Sequence, residues 1–179
     1  MDTLIGERIY FKKLDPDGLS SSYVSWMKDT GVVRFLDNPT GDFNEVRLKE
    51  FVSKMNASGR DYLFGIFLNK DSRHIGNIKL GNVHSVHRFA DLGIIIGAKD
   101  CWGRGYATEA VCLLTDYAFG PLRLRKVIAG MLAVNQASYK VFLKAGYREV
   151  GRYAKHRLVN GVFVDSIIVE KCADGAVPG

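Results

Sequence analysis

Phe89-Ala90-Asp91-Leu92-Gly93-Ile94-Ile95-Ile96-Gly97, followed by Trp102-Gly103-Arg104-Gly105-Tyr106-Ala107-Thr108, is the stretch on which the fold turns. Its first half is almost continuously apolar and β-branched, the pattern of a central strand covered on both faces. From Tyr106 the spacing becomes helical, with Ala107, Ala110, Val111, Leu114, Tyr117 and Ala118 on one face and Gly120-Pro121 as the stop. A buried strand therefore runs through a glycine-rich turn into an amphipathic helix. Backbone N–H groups at a helix start have no partner within the helix, and the helix dipole adds partial positive charge there. Glycines at 103 and 105 let the backbone approach a ligand closely, so the turn can wrap a pyrophosphate, with Arg104 at the rim. The plainer alternative is a tight turn and nothing more. A dinucleotide-binding turn needs a third glycine and an acidic residue about 20 positions on, where this chain carries Arg123, Arg125 and Lys126. No Gly-Lys-Ser/Thr follows either, which excludes a P-loop.

Working outward, Lys126 to Ala133 reads as a strand, and Asn135 caps a helix with Ser138, Val141, Phe142 and Ala145 on one face and Gly146 at its end. Gly151 to Val159 and Val162 to Glu170 flank Asn160-Gly161, a strong hairpin signal. Towards the N-terminus, Tyr62 to Leu68 and His74 to Leu80 form a second hairpin across a polar turn. Phe43 to Met55 and Leu19 to Lys28 have helical spacing, and Arg8 to Lys13 is a short strand. No repeat or flexible linker divides the chain, so a single mixed α/β domain over residues 1–172 is expected, with 173–179 a frayed tail.

The chain has 179 residues, 47% of them hydrophobic, enough for one core and too few for two ordinary domains. No stretch approaches the ~20 apolar residues of a membrane span, and the charged N-terminus is unlike a signal peptide, so a cytoplasmic location is expected. Cys101, Cys112 and Cys172 are odd in number and widely spaced, which argues against a disulfide framework or a zinc site. A net charge of +6 suits an anionic ligand. It would also suit nucleic acid, but the basic residues are neither clustered nor interleaved with aromatics, and no nucleic-acid partner is expected.

Trp102-Gly103-Arg104-Gly105-Tyr106-Ala107 resembles the Gln/Arg-x-x-Gly-x-Gly/Ala pyrophosphate turn of the GNAT superfamily of acyl-CoA-dependent N-acetyltransferases, with Trp in place of the leading Gln or Arg. The longer string Trp102 to Ala110 is similar to the branch holding ribosomal-protein N-terminal, spermidine and amino-sugar acetyltransferases, in which Trp is common at that position. Asn135-Gln136-Ala137-Ser138 through Lys144-Ala145-Gly146-Tyr147 resembles the family's N-x-x-S…K-x-G-F/Y helix, and Glu7 to Leu36, with Trp26, resembles the same branch's N-terminal region. The resemblance implies an α+β fold: a mixed, mostly antiparallel sheet of about seven strands flanked by helices and splayed between the fourth and fifth. Acetyl-CoA would be the cosubstrate, without a metal. Its expected contacts are Ile94, Ile95 and Ile96, the turn Trp102, Gly103, Arg104, Gly105, Tyr106, Ala107 and Thr108, and Asn135 and Ser138.

Acetyl transfer needs a neutral amine, and an alkyl ammonium with a pKa near 10.4 must lose a proton. Asp91 stands where several family members carry a catalytic Glu and is the candidate base; alternatively it is a surface carboxylate. A backbone N–H from Ile94 to Ile96, freed by a bulge with which Gly93 is compatible, could face the developing oxyanion. Many members protonate the leaving thiolate with a Tyr seven residues after the Asn. Position 142 is Phe here, so Ser138 is the alternative acid, unless it caps the helix. The missing Tyr also leaves open a CoA-binding module without catalysis. Cys101 could suggest a covalent acyl-enzyme, but direct transfer by proximity suffices. Trp26, His84, His87 and His156 are the acceptor-side candidates; His84 and His87 lack a third metal ligand. The expected acceptor is a small-molecule or peptidic amine; His74 to Gly81 and His87 to Gly97 resemble acetyltransferases of nucleotide-linked amino sugars, so such a sugar is favoured over a protein N-terminus and then a polyamine or aminoglycoside, and the basic acceptor loops fit its phosphate. No membrane partner is expected, and a homodimer is left open, dimers being common in the family.

Overall fold

The computed structural model describes residues 3–36, 39 and 41–173, so the expected tail lies outside the described residues except for Ala173. In chain order the elements are β1 (Thr3–Ile5), β2 (Ile9–Lys13), α1 (Ser21–Lys28), α2 (Thr30–Val33), α3 (Glu45–Ala57), β3 (Tyr62–Leu68), β4 (His74–His84) and β5 (Phe89–Ile96). A 3₁₀ turn at Lys99–Cys101 leads to α4 (Tyr106–Phe119), β6 (Lys126–Leu132), α5 (Gln136–Lys144), β7 (Arg148–Val159) and β8 (Val162–Cys172). The strands make one sheet in the order β1-β2-β3-β4-β5-β6-β8-β7, in which only the β5–β6 pairing is parallel. The sheet has eight strands rather than seven because β1, three residues long, pairs with β2 at the edge. Leaving β1 aside, β5 and β6 are the fourth and fifth strands of the expected architecture.

The joint between these two strands is short. Their register comprises Phe89↔Lys126, Ala90↔Val127 and Asp91↔Ile128, and then the pairing stops. Beyond it β5 keeps its partner β4 as far as Gly76↔Ile96. β6 likewise keeps β8 as far as Leu132↔Ser166. Each strand thus follows its own half of the sheet, and a wedge opens between them.

Two apolar clusters cover the sheet. The larger packs α4 and α5 against Ile9, Phe11, Ile78, Leu80, Leu92, Val127, Ile167 and Val169; the smaller packs α1, α2 and α3 against Leu63. Because strand side chains alternate between faces, Ile94 and Ile96 pack on the larger cluster and Ile95 on the smaller. β5 is therefore central, as its composition predicts. Ala90 and Leu92 are fully buried, whereas Ile94 to Ile96 are half-buried because they front the wedge. In the β7–β8 hairpin, Asn160 (φ 49°) and Gly161 (φ 80°) both take the left-handed conformation that the Asn-Gly signal predicts for a two-residue turn.

Candidate functional site

The wedge opens into a cleft of ≈ 430 Å³. Ile94, Ile95 and Ile96 line it from the sheet, and Trp102, Gly103, Gly105, Tyr106, Ala107 and Thr108 from the turn. Asn135, Ala137, Ser138, Lys140, Val141 and Lys144 line it from α5 and its cap. The remaining wall is Gly31, Val32, Arg34, Phe35 and Leu36, from α2 and the residues after it. Of the sequence-predicted contacts, all but Arg104 line the cleft; that side chain is exposed outside it.

The turn has the backbone that a phosphate cradle needs. Gly103 (φ 72°) and Gly105 (φ 84°) lie in the left-handed region, where a β-carbon would be strained. Gly105 is also the N-cap of α4 and supplies no capping side chain. Among the described residues, the amides of Arg104, Gly105, Tyr106, Ala107 and Thr108 have no hydrogen-bond acceptor. Trp102 donates its indole N–H to the Ile96 carbonyl at 2.8 Å, which ties the turn to the end of β5. Its place in the motif is thus to brace the turn. Glu109 in the first turn of α4 accepts from the amides of Arg8 (2.7 Å) and Ile9 (3.3 Å) and from Arg8 Nε (2.7 Å).

On α5 the cap is made by Asn135, whose Oδ1 accepts from the Ser138 amide at 3.2 Å. The cap is therefore the asparagine side chain, and the Ser138 side chain is left to line the cleft. Phe142 is only 2% exposed and packs edge-on against Tyr147 at 5.1 Å, so position 142 belongs to the core. Tyr139 points elsewhere and donates to Glu149 Oε2 at 2.8 Å. Cys101 lines the cleft, but burial pushes its thiol pKa up, which disfavours the thiolate an acyl-enzyme would need.

The acceptor-side candidates lie outside the cleft lining. Asp91 stands at the last β5–β6 pair, on the strand face shared with Ile95, and its Oδ2 accepts from Asn82 Nδ2 at 2.9 Å. Beside it Asp61 accepts from the Asn82 amide and the Ser58 hydroxyl; burial raises its carboxyl pKa, but these bonds and Lys79 outweigh that and hold it below the ordinary value. Trp26 packs edge-on against His74 at 5.0 Å and lies on Gly97, where a β-carbon would fall 1.9 Å from the indole; its contacts here are those of a packing residue. His84 and His87 stack at 4.4 Å, and the His87 amide donates to His84 Nδ1. His156 pairs with the Ser166 hydroxyl at 3.0 Å on the outer hairpin. No bulge occurs at Gly93: the β4–β5 register is continuous from Gly81↔Asp91 to Gly76↔Ile96. The splay itself leaves β5 beyond Asp91 without a strand neighbour on the β6 side.

Sequence reasoning missed the α2 wall, Lys140, Lys144 and Arg8. Asp29 builds the wall by accepting from the Gly31 amide at 2.9 Å and pairing with Lys99 at 2.7 Å. An Asp followed by a four-residue helix leaves only a faint local signal.

A sheet split beside a strand–turn–helix with free amides is the layout that the resemblance to acyl-CoA-dependent transferases implies, and comparison with known proteins agrees. The family described as "Acetyltransferase (GNAT) domain" matches residues 8–148. The chain is 31% identical over 169 residues to the probable N-acetyltransferase YjcK of Bacillus subtilis (strain 168), covering 90% of this chain and 92% of that protein. Its fold is similar to that of Mycobacterium smegmatis RimJ in complex with CoA-disulfide (TM-score 0.84, 24% identity, 97% of this chain and 88% of that one). It is also similar to the spermidine N-acetyltransferase of Vibrio cholerae in complex with CoA and spermine (TM-score 0.82, 20% identity, 96% and 99%). The chain belongs to the GNAT acetyltransferases and is an acetyl-CoA-dependent N-acetyltransferase. Among the described residues no helix is long and apolar enough to cross a membrane.

Proposed function

We propose that acetyl-CoA occupies the cleft with its diphosphate on the amides of Arg104 to Thr108, and that the chain acetylates a primary amine on an acceptor bearing negative charge. Acetyl-CoA supplies the activated acetyl thioester. Five successive unpaired amides at the start of α4 fit its phosphates. Asn135 has its Oδ1 committed to the cap, so its Nδ2 is the group left for the pantetheine arm. Asp91, on the sheet face turned away from α4 and α5, takes the proton of the acceptor ammonium, directly or through water. As the C–S bond breaks, the Ser138 hydroxyl relays a proton to the departing sulfur and recovers one from the nitrogen of the collapsing intermediate, so that the amide and the CoA thiol both leave neutral and the serine is unchanged. Backbone N–H groups of Ile94 to Ile96 that face the wedge donate to the acetyl oxygen as charge builds on it.

Arg34, Lys140 and Lys144 of the cleft lining suit the phosphates of CoA itself, so one observation outside the cleft carries the choice of acceptor: the acceptor-side loops carry the basic residues His84, His87, Arg88 and His156. Such loops disfavour a polycation such as spermidine, the substrate named for one structural neighbour, and favour a phosphate-bearing amine. A nucleotide-linked amino sugar is the reading we adopt. Titration calorimetry with CoA tests the cleft. Wild type binds, and Gly105→Glu weakens binding by at least about a hundredfold, since a carboxylate and a strained φ enter the cradle together. An acceptor panel of nucleotide-linked amino sugars, spermidine and peptides with a free α-amine then tests the substrate. A higher kcat/KM for spermidine than for any anionic acceptor overturns that choice.

A further inference from the structure

We infer that Arg8, 96 positions before the residue it grips in the turn, is a positioning residue for the phosphate cradle. This rests on the reading that the turn holds the diphosphate of acetyl-CoA. The guanidinium is held in three ways. Nε donates to Glu109 Oε2 at 2.7 Å, Nη1 donates to the Arg104 carbonyl at 3.0 Å, and Cζ lies over the Tyr106 ring, 4.8 Å from its centre. Its anchor is itself fixed, because Glu109 Oε1 accepts from the amides of Arg8 and Ile9, which ties the start of β2 to the first turn of α4.

The consequence follows from the planarity of the peptide bond. In a trans peptide the carbonyl and the next residue's N–H point in opposite directions. Nη1 draws the Arg104 carbonyl towards Arg8, so the Gly105 N–H must point the other way. Gly105 lines the cleft, and its amide has no acceptor among the described residues. A glycine at φ 84° has a wide conformational range of its own, so this peptide plane would swing without an external grip. Arg8 supplies that grip through Arg104, at a site where Arg104's own side chain does not reach the cleft. Lysine cannot replace it, because one ammonium lacks the planar fork that spans Glu109 and the Arg104 carbonyl at once.

The test compares wild type, Arg8→Gln, Arg8→Lys and Gly105→Glu by calorimetry with CoA, alongside the ¹H–¹⁵N amide signal of Gly105 and the melting temperature of each protein. Arg8→Gln and Arg8→Lys should both weaken CoA binding about tenfold, and the downfield shift of the Gly105 amide on CoA addition should shrink in both. Wild-type affinity and an unaltered Gly105 shift in Arg8→Gln, whether or not melting falls, would show that Arg8 only fastens β2 to α4 and overturn the inference. Restoration of both by Arg8→Lys would overturn it too, leaving charge alone as the requirement. Failure of the underlying reading looks different: wild type then binds no CoA, or Gly105→Glu binds it as well as wild type.

Discussion

His74 is 8% exposed, and both partners of its Nε2 are acceptors, so that nitrogen carries a hydrogen. Nε2–H is shared between the Gly76 carbonyl and Asn77 Oδ1, both at 2.9 Å, while Nδ1 is hydrogen-bonded with the Ser20 hydroxyl at 2.8 Å. Burial lowers its pKa below the ordinary histidine value. The unfolded chain therefore binds a proton more readily than the fold does. Stability is fully present above a pH of about 6.5 and falls as pH drops below it, by at most ~1.4 kcal/mol per unit. Urea midpoints at pH 7 and pH 5 should differ clearly in wild type and much less in His74→Gln, the paired carboxylates titrating lower still. At this scale the turn was legible, since left-handed glycines and a helix start leave a local signature. The Arg8–Glu109 contact was not, because 101 positions separate the partners and nothing in either neighbourhood announces the other. The serine's freedom from the cap was equally hidden, as Asn135 and Ser138 compete for that role on spacing alone.

Glu170 shows how elements are fastened. It is 7% exposed on β8 and accepts from Lys126 on β6 and from Arg148 Nη2 on β7 at 2.8 Å, so one carboxylate links three strands. The bond from Lys126 is the main cause of a carboxyl pKa below the ordinary value. Lys126 is the residue opposite Phe89, at the closed end of the wedge. Glu170→Ala should cost about 2–3 kcal/mol, because it removes two charge-assisted bonds and strands a partly buried ammonium. A chemical-denaturation midpoint that does not move would refute this. Longer elements were legible from period and punctuation: β3 begins and ends where its composition says, and α4 runs from Tyr106 to the residue before Gly120. β1 and α2, at three and four residues, are too short to show a period, and both take their form from partners: β2 in one case, the Asp29–Lys99 pair in the other. That is why the α2 wall of the cleft was invisible in the sequence.

At the scale of the molecule, the sheet is two half-sheets that share three residue pairs. Its mixed, mostly antiparallel make-up and its open seam were expected from the resemblance, whereas the order β6-β8-β7 and the cleft's charge came only from the folded arrangement, which brings Arg34 to the same wall as Lys140 and Lys144. The seam makes a local prediction. Backbone amides of Leu92 to Ile96 and Ala129 to Leu132 that face the gap should exchange with deuterium faster than those in the paired halves, and CoA should slow both sets together. Protection on one strand only would contradict a ligand that spans the seam. A further consequence concerns lifetime rather than chemistry. A ligand lodged between the half-sheets acts as a strut, and at a hundred times its Kd it adds ~2.7 kcal/mol to the folded state. Cleavage of the purified protein by a protease that attacks its opened form should then slow as CoA or acetyl-CoA is raised, in step with occupancy of the cleft.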